Sequence, residues 1–120
     1  MNHRRRELIR EYKEGARTSG VGVIRNAVNG KILLIAGVDL PGLLNRHRAQ
    51  LRFAGHRNAE LQRDWNAHGP DAFTFEVLDT LPLPEGPDHD PREDLATLEV
   101  LWLEKLNPYG NAGYNKPPSR

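Results

Sequence analysis

The sequence predicts an α/β (α+β) sandwich in which a small, mostly antiparallel sheet is flanked by helices. Three observations carry this. Two apolar segments flank Asn29-Gly30, the favoured dipeptide of a tight hairpin; two helical stripes follow; and a period-two segment, Phe73 to Val77, precedes a long apolar helix. With no internal repeat and no long linker, residues 1–120 read as a single domain.

Each element has a local cause. Residues 3–14 have helix-forming composition with a thin apolar stripe, which predicts a surface helix within an N-terminal extension, 1–17. Val21 to Ile24 and Ile32 to Ala36 form the hairpin arms, and the second arm, apolar at every position, is expected to be a central strand covered on both faces. Asp39 can cap a helix starting near Pro41, with Leu40, Leu43, Leu44, His47 and Leu51 on its stripe. A second helix, about Ala59 to His68, places Leu61, Trp65 and His68 on one side and stops at Gly69-Pro70. Residues 82–91 form an acidic, Pro-rich loop expected to be mobile, and a helix from about Pro91 or Arg92 to Leu106 leads into a turn-rich tail.

Composition removes several function classes. The chain has no cysteine, which excludes a disulfide scaffold, a thiolate zinc site and a cysteine nucleophile, so any metal must bind oxygen or nitrogen. No apolar run approaches the roughly 18 to 20 residues of a membrane span, and no apolar stretch follows the N-terminal arginines. The expectation is a cytoplasmic protein with no membrane partner. The net charge of +1 hides an asymmetry: residues 1–60 carry 12 Lys/Arg against 5 Asp/Glu, net +7, and residues 61–120 carry 5 against 11, net −6. Such a split suits an acidic polymer as partner or mutual neutralisation within the fold.

Among the candidate functional residues, Glu99 is the only charge in the apolar run Leu95 to Leu103. A carboxylate so placed is paired, protonated or bound to a cation, and either a structural salt bridge or a hard divalent ion satisfies it. Arg46, Arg48 and Arg52 form the densest cationic patch, suited to clamping a phosphodiester or to solvating a helix face. His47, on the apolar stripe, reads as a core histidine in preference to a general base. Asn115 can fix neighbouring backbone or a substrate. The Asp88-His89-Asp90 set reads as a solvated loop, and Arg4-Arg5-Arg6 as a basic arm.

The blocks Gly20 to Asn26 with Asn29 to Ile32, Asn45 to Leu51, Asn58 to Gly69, Phe73 to Leu78, Glu99 to Gly110 and Gly113-Tyr114-Asn115 together resemble the GIY-YIG nuclease superfamily, in particular its small bacterial members. The resemblance covers most of the chain. It implies a three-stranded antiparallel sheet flanked by helices, metal-dependent phosphodiester hydrolysis of DNA, and one Mg²⁺ or Mn²⁺ held by the glutamate that matches Glu99. The supporting asparagine matches Asn115, and Arg46 and Arg48 stand one turn beyond the usual arginine position, which falls on Leu43. The first motif tyrosine falls on Gly22, and the second motif on Leu33-Leu34-Ile35 or, shifted by two, on Ile35-Ala36-Gly37. Both tyrosines are absent, so the resemblance implies weakened or lost catalysis, with His47 or Tyr114 as candidate replacement base. A non-catalytic nucleic-acid-binding module of the same fold is the alternative.

Overall fold

A computed structural model describes residues 18–82 and 90–118. In chain order these form β1 (Gly20–Asn26), β2 (Ile32–Gly37), α1 (Leu40–Arg52), α2 (Ala59–His68), β3 (Phe73–Thr80) and α3 (Arg92–Leu106), with two short 3₁₀ turns. The predicted extension 1–17 lies outside the described residues, as do residues 83–89 of the Pro-rich loop.

The three strands are antiparallel in the order β2-β1-β3. The all-apolar β2 is therefore an edge strand and β1 the centre, which corrects the expectation from its composition. Helices do cover β2 on both faces, and its open edge is closed by the C-terminal segment. Gly113 bridges Ile32 in parallel, and the Tyr114 N–H donates to the Ile32 carbonyl at 2.8 Å. The Asn115 carboxamide then imitates a strand: its Oδ1 accepts from the Leu34 N–H at 2.8 Å and its Nδ2 donates to the Leu34 carbonyl at 3.0 Å. A side chain at Gly113 would collide with the Pro108 and Ile32 carbonyls, so only glycine allows this approach.

The hairpin turn is longer than the Asn29-Gly30 dipeptide suggests. Asn26 and Lys31 are joined across it at 2.9 Å, leaving residues 27–30 as the loop. The reason is Asn26 itself, which is fully buried, accepts from the Val28 N–H and donates to the Tyr114 hydroxyl. Those bonds hold it in the ladder.

Period-two alternation divides the core. Ile24, Leu33 and Ile35 face Leu40, Leu44 and Leu51 of α1 and Leu61 and Trp65 of α2. Val21, Val23, Ile32 and Leu34 face the other way, against Leu95, Leu98, Trp102, Leu103 and Leu106 of α3. Each fully buried aliphatic side chain contributes about 1.5 to 3 kcal/mol. Asp39 caps α1 as predicted, accepting from the Gly42 N–H at 3.1 Å, and Asn58 caps α2 by accepting from Leu61 at 3.0 Å. His68 is exposed, where the stripe had placed it inside. Gln62 is buried in its stead because its carboxamide closes the α1–α2 turn, donating to the Leu51 carbonyl and accepting from the His56 N–H.

Gly22 fixes how closely α1 seats on the sheet. A Cβ there would stand 2.7 Å from the Glu76 carbonyl oxygen and 3.4 Å from a Leu40 methyl, so β3 and α1 both occupy the space a side chain needs. Gly22→Tyr is therefore expected to destabilise the fold by about 1 to 3 kcal/mol or more through overpacking. Urea unfolding measures this, and a variant as stable as wild type would contradict the packing.

Candidate functional site

The three candidate arginines occupy the outer side of α1. Arg46, Arg48 and Arg52 are all exposed, and none forms an ion pair with another described residue. Arg48 is the most constrained, its guanidinium lying 4.5 Å from the centroid of the Phe75 ring on β3. Stacking on an aromatic face orients the planar fork and leaves its edge N–H groups available for an anion.

His47 is held in a clasp with a residue the sequence had not singled out. The Asn58 N–H donates to His56 Nδ1 at 3.0 Å, so the His56 proton sits on Nε2 and is directed at His47 Nδ1, 2.7 Å away. The remaining His47 proton is thereby placed on Nε2. Burial, then the neighbouring His56 and Arg46, pushes the His47 pKa down to about 4, and burial also lowers that of His56. At neutral pH His47 is an uncharged N–H donor whose lone pair is already engaged, a poor general base. His56 follows Gly55 in the turn after α1, outside any periodic stripe, which is why no sequence pattern marked it.

Tyr114 is committed in the same way. Its buried hydroxyl donates to Asp64 Oδ2 at 2.6 Å and accepts from Asn26 Nδ2 at 3.0 Å. Burial and the bond to Asp64 push its pKa up to about 12, so it does not supply a phenolate at neutral pH. Asn115, with both carboxamide atoms on Leu34, serves the backbone.

Glu99 is half-buried on α3 and makes no hydrogen bond or ion pair with another described residue, so the salt-bridge alternative has no partner among them. Helix α3 packs on the face of the sheet opposite α1, and no hydrogen bond or ion pair joins Glu99 to the α1 arginines. Among the described residues no group of three or more His, Asp or Glu side chains gathers around a point. A hard divalent ion is often held through one or two carboxylates, and Glu99 is the residue that would hold one here.

On the sheet, Gly20 pairs with Gly37 and Gly22 with Ile35. The shifted alignment of the second motif thus sets the two glycines opposite each other and sets Gly22, at the first tyrosine position, opposite Ile35 at the second. Neither offers a hydroxyl, and Ile35 is part of the α1-side core.

No family model matches the chain. It is 29% identical over 97 residues to intron-associated endonuclease 1 of Enterobacteria phage T4, a match that covers 81% of this chain and 36% of that protein. The catalytic domain of the homing endonuclease I-TevI superimposes with a TM-score of 0.66 at 27% identity, covering 83% of this chain and 99% of that domain. The fold is the GIY-YIG-related fold of the I-TevI catalytic domain. A mutant of that domain aligns equally well, with a TM-score of 0.65 at 26% identity over 82% of this chain and 92% of the other. The chain spans about a third of the length of the T4 endonuclease.

The clasp has a pH signature. The folded His47 pKa, about 4, lies below the ordinary 6.5, so between these values the unfolded chain binds more protons and stability falls as pH falls. Above about 6.5 this contribution is flat. Thermal melts from pH 7.5 to 4 are expected to show the loss in wild type and a shallower one in His47→Gln; identical slopes would contradict the clasp.

Proposed function

We propose that this chain is a GIY-YIG-type nuclease domain that engages DNA through its phosphodiester backbone and hydrolyses it slowly. The observation that carries the reading is the correspondence of 83% of the chain with 99% of the I-TevI catalytic domain in fold, at 27% identity. The arginines of α1, without an ion-pair partner among the described residues, support the same reading: Arg48, oriented by Phe75, would steady the scissile phosphate, with Arg46 and Arg52 on neighbouring phosphates. Glu99 would hold one Mg²⁺ or Mn²⁺. Such an ion supplies charge neutralisation at the phosphate when bound.

Slow turnover follows from what fills the motif positions. Gly22 and Ile35 cannot position a water or take a proton, and loss of a positioned base typically costs on the order of 10² to 10⁴ in rate. His47 Nε2–H can donate to a phosphate oxygen but cannot replace the base. The same observation favours a second reading, a nucleic-acid-binding module of this fold without catalysis.

Incubation of wild type and Glu99→Ala with labelled DNA and RNA, in Mg²⁺, Mn²⁺ or chelator, separates the two. The nuclease reading expects slow metal-dependent cleavage of DNA that disappears in chelator and in Glu99→Ala. Absence of cleavage on every substrate contradicts it, and salt-sensitive binding without metal dependence then supports the module.

A further inference from the structure

A second cationic feature lies away from both α1 and α3. The start of α2, the first residue after the hairpin loop and the C-terminal segment enclose an open cleft of about 660 Å³, lined by Lys31, Arg57, Arg63 and Lys116 with Glu60 as its one carboxylate. Lys31 is satisfied, 2.5 Å from Glu60 and over the Tyr114 ring. Arg57, Arg63 and Lys116 are exposed and form no ion pair with another described residue. Asp64, one turn beyond Glu60, keeps its charge but does not line the cleft; its carboxylate accepts from the Tyr114 hydroxyl and the Asn29 carboxamide.

The walls of this cleft are fixed before anything enters it. Asn58 caps α2 with its oxygen while its Nδ2 donates to the Tyr114 carbonyl at 2.8 Å, and Asn115 is locked to Leu34. Ala59 and Glu60 line the cleft in the first turn of α2, where N–H groups have no acceptor within the helix. Three exposed cations around a pre-formed cleft match an anion held by several charges at once.

We infer that this cleft is a second contact for the nucleic-acid backbone, taking phosphates of the same strand or duplex that the α1 arginines engage. The inference rests on the proposed function and extends it: Arg57, Arg63 and Lys116 hold the nucleic acid away from the reacting phosphate. Such contacts add affinity and salt dependence without sequence preference.

The test is fluorescence anisotropy of a labelled duplex with the full chain in chelator, titrated across salt concentrations, comparing wild type with Arg57→Gln/Arg63→Gln. A control, Arg92→Gln/Lys105→Gln, removes the same charge from α3. The cleft variant is expected to bind at least about tenfold more weakly at low salt, with a log-log salt slope shallower by about 2. The control should keep the wild-type slope. If the cleft variant matches wild type while Arg48→Gln/Arg52→Gln weakens binding, the cleft inference is overturned and the functional reading stands. If wild type binds no duplex at all, the functional reading fails, and the inference with it. NMR shifts at Arg57 and Arg63 with inorganic phosphate but none with duplex would mark a small-anion site and overturn the inference.

Discussion

Closure of the β2 edge by the C-terminal segment is the constraint on which the rest of the structure depends. A three-stranded sheet has two edges, and an apolar edge strand with unpaired backbone groups invites pairing with another chain. Here the Asn115 carboxamide and the Tyr114 N–H take the outward groups of Leu34 and Ile32. The same short segment sends the Tyr114 ring into the α1-side core, between Asn26 at the hairpin end and Asp64 on α2. One stretch of chain thereby fixes the hairpin loop, the entry of α2 and the edge of the sheet. Tyr114 and Asn115 lie where catalytic chemistry was sought, and their polar atoms are spent on architecture.

Much of the fold was legible because it rests on periodicity and caps. Gly69-Pro70 marked the end of α2, the end of the apolar run marked Leu106 as the end of α3, and Asp39 marked the start of α1. The misplacement of β2 has a simple origin. An apolar strand reports that both its faces are covered, and says nothing of whether its edges are paired to strands or to a side-chain amide. The hairpin turn was misjudged because a buried Asn26, bonded to distant Tyr114, outweighed a local turn dipeptide.

The candidate site was legible by residue type and less so by arrangement. Glu99 stood out as a lone charge in an apolar run and is indeed without a partner among the described residues. The His47–His56 clasp and the cleft at α2 could not be read, since each joins residues through tertiary contact at no fixed spacing. The charge asymmetry of the sequence has a partial structural counterpart: Arg46, Arg48, Arg52, Arg57 and Arg63, which form no ion pair among the described residues, gather on α1, α2 and the turn between them, while α3 carries Glu93, Asp94, Glu99 and Glu104.

The proposed function assigns the α1 arginines to the phosphate backbone of a bound nucleic acid and Glu99 to a divalent ion, on helices that pack against opposite faces of the sheet. Paramagnetic line broadening by Mn²⁺ in the presence of a DNA duplex, mapped on backbone amide signals, tests it most directly. The proposed function predicts broadening centred on the Glu99 turn of α3 and lost in Glu99→Ala. Broadening centred elsewhere, or unchanged in Glu99→Ala, would contradict it.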